Sequence, residues 1–310
     1  MRYAPVALFV YKRLKHTKIV INNLKKNILA KDTTLIIFSD AASSKKDLLE
    51  VENVRKYIKN IKGFKKIKVI CRKYNFGVAN TLFSGVSYIL KKYSKIIVLE
   101  DDNKVSRFFL NYMNDALVLY KDEKRVCSIS GYVYPVKVNE YRTFFIRGAD
   151  TWGWATWSRA WKNFEKNPIV LLKKIRQLGN EYDFNFYGSF ELTKMLENNI
   201  NQKNDSWTIR WCANNYIKNR LTLYPAQSFV KNIGFDGSGA HKGKRDSYKK
   251  YNVSLVKRYM SLDKIPVAEN TINRKIFSEY FFLNSNFKNF IFLFKIYKKF
   301  KYFMLRTNSL

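Results

Sequence analysis

The sequence has few acidic residues. Asp and Glu together number 24 against 58 Lys and Arg, so the formal net charge is +34 at pH 7. An excess of this size predicts attraction to polyanions such as nucleic acid, an anionic membrane surface or a phosphorylated substrate. Most of it is lysine scattered among Asn, Ile, Phe and Tyr, which a Lys- and Asn-rich background composition explains equally well. The charge alone therefore does not select a function.

Cysteine and long apolar runs are scarce too. Cys71, Cys127 and Cys212 lie far apart and form no C-x-x-C pair, so neither a disulfide framework nor a zinc site is expected, and a reducing compartment fits. No stretch reaches the roughly 18 to 20 apolar residues that span a bilayer. The first apolar run is broken by Pro5 and followed by basic residues, unlike a signal peptide. We therefore expect a cytoplasmic protein.

Apolar and aromatic residues are plentiful, at 46% and 16% of the chain, as in a folded domain with a sizeable core. In the first half, short β-branched runs predict buried strands at 4–11, 33–40, 66–72 and 95–101. Between them, helices are predicted at 17–28, 46–61 and 80–93. The second helix carries Leu48, Val51, Val54 and Ile58 at helical spacing. This alternation predicts an α/β fold with a mostly parallel sheet and helices on both faces.

The second half alternates less regularly. Helices are predicted at 106–122 and 206–219, and strands or extended segments at 125–134, 142–148 and 221–234. No internal repeat or low-complexity linker divides the chain. We therefore expect one catalytic unit followed by a C-terminal extension.

Three adjacent carboxylates, Glu100, Asp101 and Asp102, follow the fourth predicted strand. In parallel sheets, ligands bind beyond the carboxyl ends of the strands. Crowded carboxylates repel one another and raise their pKa values unless a cation is present. Mg²⁺ and Mn²⁺ prefer such oxygen ligands and leave positions for phosphate oxygens. The triplet thus predicts a metal and nucleotide-diphosphate site, although a solvated turn that caps the next helix fits the same residues.

Segments in a fixed order surround this triplet: VYKRLKHTKIVINNL, IIFSDA, FGVANTLFSGVSYIL, VLEDDNKVSRFFLNYM, WGWATWSRAW and SWTIRW followed by NIGF. The first four resemble the opening strands, the helix and the carboxylate segment of GT-A nucleotide-sugar glycosyltransferases of the N-acetylglucosaminyltransferase I type. The last ones resemble segments of bacterial surface-polysaccharide transferases of family 2-like type. The resemblance covers roughly residues 4–240 and implies a GT-A, Rossmann-like fold.

The resemblance also implies an activity and site roles. The protein would be a metal-dependent, inverting glycosyltransferase that moves a sugar from a UDP-sugar, such as UDP-GlcNAc, to a surface-glycan or lipid-linked glycan acceptor. Asp102 would be the main ligand of Mn²⁺ or Mg²⁺. Asp40 would accept a hydrogen bond from uracil. The other donor-binding residues would be Glu100 and Asp101, at the ribose or donor sugar, and Tyr11, Arg13 and Arg72, flanking the nucleotide. For Arg13 and Arg72, an ordinary surface position is the alternative.

The general base is harder to place. Inverting transfer needs a carboxylate that accepts the proton of the acceptor hydroxyl. The resembled family carries it in a DDW context before a helix, whereas this chain has Asp205 in KNDSWTIRW and lacks one of the two acids. Asp205 is the predicted base, with Glu191 and Asp150 as substitutes. Asp205 is equally a good N-cap for the helix that follows.

Two further segments contain candidate contacts to the ligands. The glycine-rich stretch 232–244 is predicted to order over the diphosphate, and its His241 is a candidate metal ligand, with a plain flexible loop as the alternative. Trp152 and Trp154 are candidate stacking surfaces for sugar rings, and Gly153 would allow close approach of a ligand. Trp157 and Trp161, four residues apart, are expected to pack in the core, and His16 is interpreted as structural.

The resemblance divides the chain into a donor half, 1–125, an acceptor half of the same domain, 126–245, and a helical extension, 246–310. Residues 286–306 form a basic, aromatic-rich helical pattern that suits the headgroup region of an anionic membrane. This predicts peripheral contact with the inner face of the cytoplasmic membrane. Packing of that helix on the core is the alternative.

Two other classes of function stay open. A nucleic-acid binder would account for the charge, but the sequence has no helix-turn-helix signature, RNP-like aromatic pair or zinc spacing, so no specific nucleic acid is expected. An inactive GT-A-like protein that binds sugar or nucleotide would keep the same fold, because fold does not ensure chemistry. Binding of a UDP-sugar without turnover would identify it.

Overall fold

The computed structural model describes residues 3–140, 142–239, 250–259 and 261–285. The strands are β1 Val6–Val10, β2 Thr34–Ser39, β3 Lys66–Cys71, β4 Lys95–Glu100, β5 Asn103–Val105, β6 Val126–Ser130, β7 Thr143–Arg147, β8 Trp154–Trp157, β9 Leu221–Pro225 and β10 Val230–Asn232. The helices are α1 Leu14–Lys25, α2 Leu48–Lys59, α3 Gly77–Leu90, α4 Phe109–Leu119, α5 Ser158–Trp161, α6 Pro168–Gln177, α7 Glu181–Phe184, α8 Leu192–Ile200, α9 Trp207–Ile217 and α10 Thr271–Asn284.

Eight of these strands form one sheet in the order β3-β2-β1-β4-β8-β6-β9-β7. The first four are parallel to one another. Strand β8 is antiparallel to both of its neighbours, β6 and β9 are parallel, and β7 is antiparallel to β9. Six of the eight strands therefore run in one direction, which confirms the predicted α/β fold with a mostly parallel sheet.

Alternate residues of β1 enter two different cores. Val6, Leu8 and Val10 pack with α1, α2 and α4, whereas Ala7 and Phe9 pack with α3, α5 and α9. Successive side chains of a strand point to opposite faces, so a strand that is apolar throughout requires cover on both. The continuous apolar runs in the sequence thus account for helices on both faces of the sheet.

The predicted strands of the first half are confirmed, and the helices there are confirmed with shifted ends. The predicted apolar face of α2 is confirmed at Val51, Val54 and Ile58, which are buried. The prediction is wrong at Leu48, which is 53% exposed. Leu48 is the first residue of α2 and lies beyond the part of the helix that contacts the sheet-side core.

The polar stretch 166–204 folds into α6, α7 and α8. These helices and α10 enclose a third core with residues of β7 and β9. None of the helices in the described ranges is long and apolar enough to cross a membrane. The predicted membrane-binding segment 286–306 lies outside the described residues, and the division into halves at residue 125 stays a prediction.

Candidate functional site

The pairing of β1 with β4 fixes the centre of the candidate site. The two strands are parallel neighbours in which Phe9 lies opposite Glu100. Residues that follow β1 and residues that follow β4 therefore emerge at the same edge of the sheet. This brings Arg13, which precedes α1, to the carboxylate triplet.

Arg13 forms ion pairs with two of the three carboxylates. Its Nη2 lies 2.9 Å from Asp102 Oδ2 and also contacts Asp101 Oδ1, and its Nε donates to Asp101 Oδ2 at 3.3 Å. Burial by itself lowers the pKa of Arg13, but the negative charges of Asp101 and Asp102 more than reverse this, so the pKa is raised. The guanidinium is therefore a fixed cation at the triplet.

One cation does not balance three acids. Burial, together with the negative charges of Asp102 and Asp101, raises the pKa of Glu100 to about 8, although Arg13 acts in the opposite direction. Burial also raises the pKa of Asp101 despite its pairing with Arg13. The site thus holds excess negative charge whenever all three carboxylates are ionised.

Asn103 fixes the turn that carries the triplet. Its Oδ1 accepts hydrogen bonds from the backbone N–H groups of Glu100 and Gly153, both at 3.1 Å. Its Nδ2 donates to Asp102 Oδ1 at 2.9 Å. Asn103 therefore orients the Asp102 carboxylate and ties the triplet to the start of β8. The sequence analysis did not select this residue, although its position directly after the triplet was a usable signal.

The glycine-rich loop follows β10, and β10 pairs with β5, the strand that begins directly after the triplet. This pairing places the loop against the triplet. The Ile233 N–H donates to the Asp102 carbonyl oxygen at 2.9 Å. A Cβ on Gly234 would lie 2.4 Å from Asp102 Oδ2, so only glycine fits here without displacing that carboxylate. His16 Nε2 lies 3.1 Å from Asp236 Oδ2 and 3.2 Å from the Ile233 carbonyl, which attaches the loop to α1.

The donor atoms of the triplet fit a hard divalent cation. They are carboxylate oxygens, and burial raises the pKa of Glu100 together with repulsion from Asp102 and Asp101, a repulsion that a further cation would relieve. Among the side chains that the structure describes, no three His, Cys, Asp or Glu residues are arranged to hold a metal ion. In this conformation the cation at Asp101 and Asp102 is Arg13. His241 lies outside the described residues.

Asp40 is buried at the end of β2, where its carboxylate accepts several protein hydrogen bonds. Oδ1 accepts from the backbone N–H groups of Ala41 at 2.9 Å and Phe76 at 3.0 Å. Oδ2 accepts from the Thr81 hydroxyl at 3.0 Å and from the Phe76 N–H at 3.1 Å. Asp40 therefore connects the end of β2 to the start of α3, and both of its carboxylate oxygens accept hydrogen bonds from the protein.

The other residues predicted to flank the nucleotide point to different partners. The Tyr11 hydroxyl donates to Asp47 at 2.8 Å, and Lys12 Nζ lies 2.7 Å from the same carboxylate. Hydrogen bonds from Lys12, Ser43 and Tyr11 lower the pKa of Asp47 to about 2. Arg72 Nη2 donates to Ser84 on α3 at 2.7 Å. Of Tyr11, Arg13 and Arg72, only Arg13 contacts the triplet.

Asp205 lies at the start of α3 as well. Its Oδ2 accepts from the Ala79 N–H at 3.4 Å, and its Oδ1 pairs with Arg210 Nη2 at 2.7 Å. The side chain is 60% exposed, so it is open to an incoming ligand. The N-cap of α9 is Ser206, whose hydroxyl accepts from the Ile209 N–H at 3.4 Å. Asp205 is therefore not the cap of its own helix.

The two substitutes for Asp205 have different surroundings. Glu191 is exposed and immediately precedes α8. The Asp150 carboxylate accepts from the Tyr134 hydroxyl at 2.9 Å and from the Thr151 N–H at 2.6 Å. Burial raises the pKa of Asp150 even though these hydrogen bonds lower it.

The structure corrects the prediction for one of the two candidate stacking tryptophans. Trp154 is 0% exposed and packs against Trp161, Trp207 and Trp211, so its ring has no surface for a ligand in this conformation. A strand that pairs on both sides in mid-sheet buries its side chains, and Trp154 begins such a strand. Trp157 and Trp161 are buried, which confirms them as packing residues.

Trp152 and Gly153 lie nearer the site. Trp152 is partly buried and packs edge-on against Tyr132, Phe235 and Tyr251. Gly153 has a φ of +60°, and a Cβ there would lie 2.6 Å from Val230 Cγ2. Glycine is thus required at position 153 by the close packing of Val230 in β10, and not by space left for a ligand.

Two solved structures are similar to parts of this chain. No protein-family model matches the sequence, and no curated protein matches it. The structure is similar to the mannosyltransferase PcManGT from Pyrobaculum calidifontis in complex with GDP-Man and Mn²⁺, with a TM-score of 0.33, 12% identity, and coverage of 57% of this chain and 47% of that chain. It is similar to S. aureus TarS with a TM-score of 0.31, 15% identity, and coverage of 45% and 24%. The chain thus spans less than half of either structure, and these values carry no argument about activity.

Proposed function

We propose that this protein is a metal-dependent, inverting glycosyltransferase of the GT-A type, which transfers a sugar from a UDP-sugar to a surface-glycan acceptor. The observation that carries the proposal is the triplet Glu100–Asp102, buried at Asp101 and partly buried at its other two acids, at the carboxyl edge of a parallel sheet. Among the described residues, Arg13 is the one cation that pairs with these three acids. Open parallel sheets bind their ligands at this edge. The excess negative charge there suits a metal ion that carries a nucleotide diphosphate.

The donor side of the mechanism uses residues around the triplet. Asp102 would be the main ligand of Mn²⁺ or Mg²⁺, which when bound neutralises the charge that develops on the departing diphosphate. Asp101 and Glu100 would meet the ribose or the donor sugar. Asn103 orients Asp102 through its 2.9 Å hydrogen bond. Arg13 supplies a permanent positive charge beside the same carboxylates. Gly234 packs directly against Asp102 and Arg13.

On the acceptor side, Asp205 accepts the proton of the attacking hydroxyl as that oxygen bonds to the anomeric carbon. Its partial exposure leaves the carboxylate accessible, and Arg210 fixes the orientation of the carboxylate through the 2.7 Å ion pair. The Ala79 N–H holds the other oxygen at 3.4 Å. Asp205 is thus a positioned carboxylate at the same edge of the sheet as the triplet.

The test is calorimetric titration of UDP, and then of a panel of UDP-sugars, with and without Mn²⁺. We expect metal-dependent binding in wild type that falls at least tenfold in Asp102→Ala, whereas Asp122→Ala, which changes an exposed surface carboxylate, binds as wild type does. A UDP-sugar that binds without ever being turned over would favour the inactive sugar-binding alternative. Full transferase activity in Asp102→Ala would refute the proposed role of the triplet.

A further inference from the structure

A polar groove runs along the exposed side of α3, beside the segment that joins α5 to α6. It has a volume of about 530 Å³. Its lining comprises two amides, two hydroxyls, two aromatic rings and an ammonium group, from Asn75, Asn80, Ser84, Ser87, Phe76, Phe83 and Lys166. None of these residues is acidic. No step proposed above uses this groove.

Positive charge converges on the groove from three separate segments. Lys166 Nζ and Arg210 Cζ lie 5.5 Å and 5.0 Å from the centre of the same Phe83 ring, which forms part of the lining. Arg72 donates to the hydroxyl of Ser84 in the lining. Within the described part of the chain, Lys166 has no carboxylate at ion-pair distance, and Arg210 pairs only with Asp205. A bound anion would relieve the repulsion among these cations.

The remaining lining is suited to a sugar ring. Phe76 is 40% exposed and stacks with the Arg72 guanidinium at 4.6 Å, which presents a combined aromatic and cationic surface. Asn75 is held by hydrogen bonds to the Ala41 carbonyl at 2.6 Å and from the Gly77 N–H at 3.1 Å, so this wall is rigid. Amides and hydroxyls on a fixed wall recognise sugar hydroxyls, and the aromatic ring packs on the apolar face of the sugar.

Arg210 and the first turn of α3 connect the groove to the proposed base. Arg210 contacts the Phe83 ring in the groove and pairs with Asp205 Oδ1. Asp205 in turn contacts the first turn of α3, the helix that forms the wall of the groove. A sugar held in the groove would therefore adjoin the carboxylate that accepts the proton of the attacking hydroxyl.

We propose that this groove is an acceptor subsite for a negatively charged sugar unit, whose carboxylate or phosphate pairs with Lys166. The proposal rests on the proposed function, because Asp205 as the base is what makes the neighbouring groove an acceptor site. The charged unit occupies the groove, and the hydroxyl that is glycosylated belongs to the same or the adjacent sugar.

Ligand-observed NMR titration at low salt tests the subsite directly. The probes are methyl glucuronide, glucose 6-phosphate and methyl glucoside, which share a hexose ring and differ in charge. We expect one or both anionic sugars to bind wild type at least about tenfold more tightly than the neutral glucoside, a difference of about 1.4 kcal/mol. The stronger of the two anions identifies a carboxylate or a phosphate as the group that the groove recognises.

Two variants make this test specific. Lys166→Ala should remove the preference for the anionic probes, and Asn80→Asp should weaken it by placing a negative charge in the groove. The matched control is Lys162→Ala, an exposed lysine of the same segment that does not line the groove. A chain with a charge of +34 attracts anions everywhere. If Lys162→Ala loses as much affinity as Lys166→Ala, the attraction is diffuse and the subsite is refuted.

UDP titration on the same samples separates the two proposals. Wild type that binds UDP but shows equal affinity for all three sugar probes refutes the groove and leaves the donor site intact. Wild type with Lys166-dependent binding of anionic sugars but no UDP binding refutes the donor assignment instead.

Discussion

Asp40 and the triplet Glu100–Asp102 follow strands of the same parallel sheet, yet their surroundings differ. Asp40 accepts hydrogen bonds from two backbone N–H groups and a hydroxyl, all uncharged donors supplied by the fold itself. Among the described residues, the triplet has Asn103 and a single cation, Arg13, for three acids. The Asp40 carboxylate is satisfied by hydrogen bonds at the junction between β2 and α3, whereas the triplet retains unbalanced negative charge.

This difference separates a structural role from a binding role for carboxylates at strand ends. Neutral donors that are fixed by the backbone satisfy a buried carboxylate permanently. Charge repulsion that the protein leaves unrelieved is instead the condition in which an added cation binds favourably. We therefore expect a loss of stability when the contacts of either Asp40 or the triplet are disrupted. We expect Mn²⁺ to restore stability only at the triplet.

The largest effect is expected for Arg13→Gln. This change leaves Asp101 and Asp102 buried without their cation, which typically costs about 3 kcal/mol of unfolding free energy. Mn²⁺ should then restore part of the loss, because it binds the folded triplet and not the unfolded chain. Urea unfolding with and without Mn²⁺ measures both effects.

Lys12→Gln is the matched control for Arg13→Gln, since the neighbouring Lys12 pairs with Asp47 and not with the triplet. We expect Mn²⁺ to stabilise this variant no more than it stabilises wild type. Equal stabilisation of Arg13→Gln and Lys12→Gln by Mn²⁺ would show that Arg13 and the metal do not share the carboxylates.

A smaller loss, about 2 kcal/mol, is expected for Asp40→Ala, because the N–H groups of Ala41 and Phe76 and the hydroxyl of Thr81 lose their acceptor. Mn²⁺ should not restore this loss, which a thermal shift assay with and without the metal would reveal. Asp122→Ala on the exposed surface should change stability by less than about 0.5 kcal/mol. Rescue of Asp40→Ala by Mn²⁺ would contradict the structural role of Asp40.

The last expected effect, stated per pH unit, is a dependence of the unfolding free energy on pH in metal-free buffer. The pKa of Glu100 is raised from 4.5 to about 8 in the folded protein. Between these values the folded state keeps a proton that the unfolded chain has lost, so the unfolding free energy falls as pH rises. One proton gives a slope of at most about 1.4 kcal/mol per pH unit.

Glu100→Gln should flatten this slope between pH 4.5 and about 8, because glutamine mimics the protonated acid at every pH. Urea unfolding at several pH values in the presence of a chelator measures it. Parallel pH profiles for wild type and Glu100→Gln would show that Glu100 titrates normally in the folded protein.

Much of the fold was predictable because its signals are local. The β-branched runs and the helical spacing of Val51, Val54 and Ile58 are each read within a dozen residues, and they predicted the parallel half of the sheet. The helices of the stretch 166–204 were not predicted, because each is at most ten residues long and its apolar residues are buried against the neighbouring helices and against the distant segments α9, β7, β9 and α10. The burial of Trp154 also depends on distant partners, since its neighbours Trp207 and Trp211 follow it by about fifty residues.

The sequence by itself determined the α/β class and the position of three acids at a strand end, since strand and helix periods and strand ends are properties of short segments. Tertiary structure alone decided which partner each acid meets. The β1–β4 pairing brings Arg13 to Asp101 and Asp102, and the β5–β10 pairing places Gly234 against Asp102. The packing of α3 beside the segment that joins α5 to α6 likewise creates the groove, and the contact between Asp205 and Ala79 brings the proposed base to the same helix. Electrostatic interactions depend on distance in space, and only the folded chain sets those distances.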